Sequence, residues 1–185
     1  MPQQTKPPGR ARYIHDKQVV AGVHRALREA GITFATYLPE TILYPVMAAL
    51  EEDPDVISAC VAREDEGVAM AVGAFLGGRW PVLITEASGL GLSGLILARA
   101  LVQRTPLLIL ASHNEALGER HDYTAAARRV GEPLLRALGI PYVVTRDGAE
   151  APRLIREAQM TVQGDRRPVA VLFPRHSLHV NEDSR

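Results

Sequence analysis

Residues 56–85 read VISACVAREDEGVAMAVGAFLGGRWPVLIT and combine two strand patterns with one helix pattern. Residues 56–62 and 80–85 are short apolar runs with several β-branched side chains, which predicts two buried strands. Residues 65–78 are mostly small and apolar and follow an acidic start, which is typical of a helix. A strand, a helix and a strand in this order favour two parallel strands, with the helix packed on one face of the sheet.

The same alternation continues towards both ends of the chain. Apolar runs predict further strands at residues 33–37, 106–111, 142–145 and 168–173. Helix patterns occupy residues 16–30, 42–50, a stretch ending near 103, 133–138 and 149–162, while residues 114–130 fit a loop or a short helix. We therefore predict an α/β fold, a single three-layer α/β/α domain with a mainly parallel sheet of about six strands.

The length and composition fit one globular domain. The chain has 185 residues, 46% of them hydrophobic, which is enough to bury a core without disulfides. We predict this domain at residues 15–175, between a flexible segment at 1–14 and a polar tail at 176–185. The formal net charge is +0, so we expect neither nucleic acid nor a membrane as a partner. With Cys60 as the single cysteine and no long apolar run, we expect a cytoplasmic protein.

Polar or glycine-rich residues follow several of the predicted strands. Open parallel sheets bind ligands at the carboxyl ends of their strands, so these positions are candidates for a site. Residues 89–94, GLGLSG, match G-x-G-x-x-G between a strand and a helix, a pattern that binds dinucleotide phosphates through backbone N–H groups. A lone match equally fits a glycine-rich turn without chemistry, and this fingerprint normally follows the first strand of a sheet.

Three acidic residues, Glu64, Asp65 and Glu66, stand where the first predicted strand of this stretch passes into the helix. Acids at a helix N-terminus interact favourably with the helix dipole, and that role alone explains them. A carboxyl at the end of a buried strand also suits proton exchange near neutral pH, because burial raises its pKa. The residues by themselves leave both roles open.

Residues 61–78 as a whole resemble the pyrimidine-binding domain of thiamine-diphosphate-dependent enzymes. In that family an apolar strand ends in a glutamate, and a glycine lies nine positions further along a small-residue helix. Glu64 and Gly73 stand at this spacing, and the resemblance extends over residues 15–175. Within the family the chain most resembles the sulfopyruvate and phosphonopyruvate decarboxylases. Their REEEGV and NSGLG occur here as REDEGV at residues 63–68 and ASGLG at residues 87–91.

The resemblance implies a set of site residues. Glu64 would be both catalytic and cofactor-binding, as the carboxyl that bonds the pyrimidine ring of thiamine diphosphate. Strand-end residues would line the cofactor pocket, namely Pro39, Glu40, Ser88, Gly89 and Leu90. His113 and His121 are the further catalytic candidates beside the substrate, with Arg120 as an alternative partner for an anionic group.

The family also implies a partner. Full-length members bind the diphosphate and Mg²⁺ through a second domain with a G-D-G motif followed by an asparagine, and this chain lacks that motif. A β subunit would therefore carry the diphosphate and Mg²⁺ site, and this chain would hold no metal. Self-association is also expected. The implied role is that of the alpha subunit of a heteromeric decarboxylase that acts on a small 2-oxo acid.

Other functions remain open at the level of the sequence. The same cofactor would support a carboligase or a C–C lyase, and residues 89–94 would suit a non-catalytic nucleotide-binding module. Glu86-Ala87 and Leu92 differ from the corresponding residues of those decarboxylases beside the reacting carbon, which leaves the identity of the 2-oxo acid open. A zinc site at His176 and His179 has no further ligand at suitable spacing.

Overall fold

The computed structural model describes residues 13–113 and 124–181. Its strands are β1 (Tyr13–His15), β2 (Phe34–Tyr37), β3 (Ile57–Cys60), β4 (Pro81–Glu86), β5 (Leu107–His113), β6 (Tyr142–Val144), β7 (Pro168–Pro174) and β8 (His179–Asn181). Its helices are α1 (Lys17–Glu29), α2 (Tyr44–Glu51), α3 (Glu64–Leu76), α4 (Ala87–Leu92), α5 (Gly94–Val102), α6 (Thr124–Leu138) and α7 (Ala151–Asp165), with a short 3₁₀ helix at Arg175–Ser177. Within these residues every helix is too short or too polar to cross a lipid bilayer.

Six strands form one parallel sheet in the order β3-β2-β4-β5-β7-β6. The central strands β5 and β7 are buried along their whole length, as expected for a parallel sheet that helices cover on both faces. The predicted three-layer α/β/α architecture with about six strands is confirmed.

The two faces of the sheet have separate apolar cores. The first core joins α1, α2 and α7 through residues such as Leu27, Met47 and Ile155. The second joins α3, α4, α5 and α6 and includes Leu90 and Leu135. The direction in which the chain adds strands to the sheet reverses between β2 and β4. From β2 the chain passes through α2 to β3 on one side of β2, and then returns to β4 on the other side. This arrangement opens a crevice at the carboxyl ends of β2 and β4.

Helix α3 lies close over the sheet because Gly67 has no side chain. A Cβ at this position would stand 3.0 Å from Leu83 Cδ1 on β4. The Thr36 hydroxyl on β2 donates a hydrogen bond to the Gly67 carbonyl at 3.0 Å. Both contacts fix the start of α3 at the edge of the crevice.

Two predictions about the glycine-rich and proline-containing segments are wrong. Residues 89–92, in the stretch that the sequence fits to a phosphate-binding loop or a glycine-rich turn, belong to helix α4, because Leu90 is fully buried in the second core and its packing outweighs the low helix propensity of the glycines. Pro133, expected near the start of a helix, lies inside α6, which begins at Thr124. Pro133 is exposed, while Ala127, Gly131 and Leu135 on the same helix are buried, so packing retains the helix despite the lost N–H donor.

The edges of the fold also differ from expectation. Strand β3 pairs only with β2 and is largely exposed, rather than buried, because it lies at the edge of the sheet. The sequence did not predict that β1 pairs with β8 in a separate antiparallel sheet, with His15 opposite His179. The predicted boundary between the N-terminal segment and the domain, at residue 14, falls within β1, and the predicted start of the C-terminal tail, at residue 176, lies just before β8.

Candidate functional site

Elements from both sides of the crevice supply the candidate residues. The turn after β2 carries Pro39 and Glu40, and β4 ends at Glu86 before α4 begins. Helix α3 begins at Glu64, on the face of the sheet that α4 also covers. The sequence therefore folds so that three of its predicted site segments meet at one edge of the sheet.

The side chain of Glu64 occupies the space beside Gly89. A Cβ at Gly89 would lie 2.4 Å from Glu64 Cγ, 2.7 Å from Glu64 Oε1 and 2.4 Å from Thr85 Oγ1. No real Cβ tolerates such distances, so this position requires glycine. Glu64 is half-buried, and the missing side chain of Gly89 is what allows its carboxyl to reach the crevice.

The three neighbouring acids have different contacts. Asp65 accepts hydrogen bonds from Arg63, whose Nε lies 3.0 Å from Asp65 Oδ1, and this hydrogen bond is the main cause of the lowered pKa of Asp65. Glu66 Oε2 accepts from the Ala62 backbone N–H at 3.1 Å. Among the residues described, Glu64 alone of the three receives no hydrogen bond. Its carboxylate is thus the one left to bind another molecule.

Glu40 lies on the opposite face of the sheet from Glu64. Its carboxylate accepts hydrogen bonds from the backbone N–H groups of Ile42, at 2.9 Å, and Leu43, which orders the turn before α2. Burial raises the pKa of Glu40, and the charge of Glu86 raises it further. The two backbone donors and the hydroxyl of Ser112 offset part of this rise. Glu40 is consequently a carboxyl that holds its proton more strongly than an exposed one.

A cavity of about 380 Å³ opens beside Glu40. Its lining residues are His15, Pro39, Glu40, Thr41 and Tyr44. Pro39 and Tyr44 are exposed, so the cavity is accessible from solvent. The predicted residues Pro39 and Glu40 therefore face a space that a small molecule can enter.

His113 is the last residue of β5 and is 7% exposed. Its Nε2 lies 2.8 Å from Oε1 of Glu132 on α6. The other carboxylate oxygen of Glu132 accepts hydrogen bonds from the Tyr142 hydroxyl, at 2.5 Å, and from Arg136. Burial would raise the pKa of Glu132, but the hydrogen bonds from Tyr142 and His113 and the charge of Arg136 together lower it. The imidazole is thus held by an ionised carboxylate.

Comparisons with known proteins place the chain in a family. It is 34% identical over 152 residues to sulfopyruvate decarboxylase subunit alpha of Methanococcus maripaludis, a match that covers 82% of this chain and 91% of that subunit. The same subunit of Methanothermobacter thermautotrophicus is 32% identical over 152 residues, with 82% and 92% coverage. The chain belongs to the sulfopyruvate decarboxylase alpha-subunit family. This membership confirms the resemblance that the sequence around Glu64 indicated, although no family model matches the sequence.

Solved structures show the same fold as this alpha-subunit family member. A 2-oxoglutarate:ferredoxin oxidoreductase from Magnetococcus marinus aligns with a TM-score of 0.67 at 16% identity, over 94% of this chain and 31% of that one. The thiamine diphosphate-dependent 4-hydroxybenzoylformate decarboxylase of Rhodococcus jostii aligns with a TM-score of 0.66 at 18% identity, over 88% and 31%. The chain therefore spans about a third of the length of each of these proteins.

The remaining predicted residues have mixed outcomes in this family member. Leu90 is fully buried in the second core, so only its backbone could line a pocket, while Ser88 is half-buried at the start of α4. Gly89 and Leu90 lie inside α4, so residues 89–94 do not form an open phosphate-binding loop. His121 and Arg120 lie outside the described residues.

The two histidines considered for zinc have structural contacts instead. His176 Nε2 lies 3.0 Å from the Arg146 carbonyl, and His179 Nδ1 lies 3.0 Å from the Arg175 carbonyl. Burial, together with the charge of neighbouring His15, lowers the pKa of His179 to about 4. Over residues 13–113 and 124–181, no group of three or more His, Cys, Asp or Glu side chains is arranged to hold a metal ion.

Sequence reasoning missed Glu132, the residue that binds His113. The two residues are 19 positions apart, and only the packing of α6 against the sheet brings them together. One local signal was present, since Glu132 and Arg136 are spaced i, i+4 as an ion pair on a helix. That signal did not show that the carboxylate points inward, to a residue at a strand end.

Proposed function

We propose that the chain is the pyrimidine-binding alpha subunit of a heteromeric, thiamine-diphosphate-dependent decarboxylase of 2-oxo acids. The relatives at 30–34% identity are named as sulfopyruvate decarboxylase subunits, which makes sulfopyruvate the first substrate to test. The observation that carries the proposal is the carboxyl of Glu64, held against Gly89 at the crevice without a hydrogen bond from any described residue.

The residues of the crevice fit thiamine diphosphate. Glu64 provides an unpaired carboxylate for a ring nitrogen of the pyrimidine, and Gly89 leaves the room for that carboxylate. The backbone of Ser88, Gly89 and Leu90 would border the ring, together with the turn that carries the exposed Pro39 and the partly buried Glu40. When bound, the cofactor supplies the electron sink that lets carbon dioxide leave a 2-oxo acid. The task of Glu64 is to hold and exchange a proton at the ring nitrogen.

A partner subunit completes the site in this proposal. The sequence lacks the G-D-G motif of the family's metal-binding domain, so the diphosphate and Mg²⁺ would be held by the β subunit. Helices α3, α4 and α5, on the face of the sheet that carries Glu64, expose large apolar side chains: Met70, Leu76, Leu92, Leu95 and Val102. Exposed apolar surface of this kind is typical of an interface, with a β subunit or with a second copy of the chain.

The histidines would act on the substrate side of the site. His113, at the end of β5 and bound through Nε2 to Glu132, is a predicted catalytic residue on that side. His121 remains a predicted catalytic residue. The acids Glu40 and Glu86 at the neighbouring strand ends are the other groups that could exchange a proton there.

The proposal is tested by reconstitution. The purified chain is mixed with a subunit that carries the metal motif, in the presence of thiamine diphosphate and Mg²⁺, and carbon dioxide release is measured with 3-sulfopyruvate, phosphonopyruvate and pyruvate. We expect no turnover by the chain alone and turnover of 3-sulfopyruvate by the pair. Robust activity of the chain alone would contradict the shared site, and inactivity of the pair with every 2-oxo acid would contradict the decarboxylase assignment.

A further inference from the structure

An apolar cavity of about 610 Å³, the α1–α2 groove, lies between α1 and α2 on the face of the sheet opposite to α3. Its apolar walls come from three elements, with Ile14 on β1, Val20 and Ala21 on α1, and Pro45 and Ala49 on α2. Mostly apolar cavities of roughly 300–1,000 Å³ are typical of small-molecule sites. The proposed decarboxylase site leaves this groove unused.

Small side chains keep the α1–α2 groove open. Ala21 and Ala49 line it from the two helices, while Val23 and Leu50 on the same helices are buried in the first core. The helices therefore pack through their buried faces and leave apolar flanks that no described side chain fills. A ligand chain that covers these flanks gains affinity by up to about fourfold for each methylene removed from water.

The polar side chains of the α1–α2 groove are basic. His15, Lys17 and His24 line it, and no Asp or Glu is among its described lining residues. The lysine ammonium can only donate hydrogen bonds. Lys17 and His24 are seven positions apart on α1, about 10 Å along the helix axis, so the groove can hold an extended chain of several methylenes.

The acids near the α1–α2 groove have other partners. Asp16 caps α1 and accepts a hydrogen bond from the Gln18 backbone N–H at 2.9 Å. Asp53 lies 2.8 Å from His24 Nε2 and accepts from Arg28 at 2.6 Å. Among the residues described, no acid pairs with Lys17. The groove thus joins a cation that lacks a carboxylate partner to apolar walls, which is complementary to an anion on an apolar chain.

We infer that the α1–α2 groove is a binding site for a free monoanion with an apolar chain, such as a medium-chain carboxylate. The carboxylate lies beside Lys17, and the chain covers Ala21 and Ala49. The inference goes beyond the proposed function and does not depend on it, because none of these residues belongs to the proposed cofactor site.

His15 connects the α1–α2 groove to the cavity beside Glu40. It lines both spaces, and its Nε2 donates a hydrogen bond to the Thr41 carbonyl at 3.3 Å. Thr41 directly follows Glu40 in the turn after β2. A ligand in the groove therefore contacts a residue that also bounds the cavity of the proposed site.

Binding is measured by calorimetric titration of the full chain with three probes: octanoate, butanoate and octylammonium. Butanoate has the same charge as octanoate and a shorter chain, so we expect it to bind at least about tenfold more weakly. Octylammonium has the same chain length and the opposite charge, and we expect it to bind about tenfold more weakly because Lys17 repels it.

The location is measured by NMR of histidine side chains, with the signals of His15 and His24 assigned by their loss in His15→Gln and His24→Gln. We expect octanoate to shift both signals. It should leave the signals of His113 unchanged, because His113 pairs with α6, which packs on the other face of the sheet.

Two variants test the walls and the cation of the α1–α2 groove. Ala49→Trp places a large ring in the groove and should abolish octanoate binding, whereas Ala137→Trp, at an exposed position of α6, should bind as the wild type does. Lys17→Gln should weaken binding by about two- to fivefold. Arg25→Gln is its matched control, because Arg25 is an exposed cation on α1 outside the groove.

Failure of octanoate to bind would overturn the inference, and so would equal affinity for octylammonium or unchanged affinity in a folded Ala49→Trp. If Ala49→Trp does not fold, the three probes and the histidine signals of the wild type still decide. Shifts of His15 and His24 that appear on raising the concentration of the chain without octanoate would show that a second copy fills the groove, which would also overturn the inference.

Discussion

Neighbouring acids at the start of α3 have separate tasks. Asp65 binds Arg63 and Glu66 binds the Ala62 N–H, so both stabilise the local backbone and the start of the helix. Glu64 has neither contact and instead fills the space that Gly89 leaves. All three residues are acids, so their contacts and not their charge distinguish Glu64, the proposed functional residue, from the structural residues Asp65 and Glu66.

Gly89 provides a test of this contact. In Gly89→Ala the new methyl would overlap Glu64 Cγ and Thr85 Oγ1 at 2.4 Å, so the carboxyl or helix α4 must move. We expect the free energy of unfolding to fall by about 1–3 kcal/mol in urea titrations. We also expect the activity of the reconstituted enzyme to be lost.

Gly94→Ala is the matched control for that variant. The nearest atom to a Cβ at Gly94 is Leu134 Cδ1 at 3.4 Å, an ordinary contact at the start of α5. We expect stability within about 1 kcal/mol of the wild type and unchanged turnover, because alanine favours a helix more than glycine does. Equal behaviour of the two variants would show that the contact of Gly89 with Glu64 is unimportant.

At the scale of elements, Glu40 in the turn between β2 and α2 makes the free energy of unfolding depend on pH. Glu40 has a raised pKa because it is buried near Glu86, so the folded state binds its proton more tightly than the unfolded chain does. The stabilising contribution of that proton is complete below the ordinary value of 4.5 and is lost as the pH rises through the raised pKa.

Glu40→Gln removes this titration. We expect the free energy of unfolding of the wild type, relative to Glu40→Gln, to be highest below the ordinary value of 4.5 and to decrease as the pH rises through the raised pKa of Glu40. Glu132, whose lowered pKa has the opposite effect on stability, is present in both proteins and cancels in the difference. A difference that is constant with pH, measured by denaturant titration at several pH values, would show that Glu40 is not desolvated.

The strands of the central sheet were predictable because burial on both faces gives continuous apolar runs, as at β5 and β7. Pro39 and Glu40 were candidates because they follow a predicted strand, whereas the resemblance of residues 61–78 to the pyrimidine-binding domain distinguished Glu64 from the two neighbouring acids. The helical state of α4 was not predictable, since it depends on the burial of Leu90 against other elements. The pairing of His113 with Glu132 and of β1 with β8 arises from contacts distant in sequence, which local patterns do not contain.

For the molecule as a whole, residues after β7 contribute to the core. Leu178 is fully buried in the core shared by α1, α2 and α7, although it lies in the segment expected to be a polar tail. We expect Leu178→Ala to lower the free energy of unfolding by about 2–5 kcal/mol, because it leaves a cavity. Leu76→Ala, at a side chain that is 76% exposed, should change it by less than about 0.5 kcal/mol. A small effect at Leu178 would indicate that this segment is dispensable for folding.

In the proposed function a partner subunit completes the site, so its central residue is tested in the assembled enzyme. The most direct measurement is the rate of 3-sulfopyruvate decarboxylation by the chain reconstituted with its metal-binding partner, compared among wild type, Glu64→Gln and Asp65→Asn. We predict that Glu64→Gln assembles normally and loses turnover by orders of magnitude, while Asp65→Asn stays close to wild type. Wild-type turnover by Glu64→Gln, or an equal loss in both variants, would contradict the assignment of Glu64 as the cofactor carboxyl.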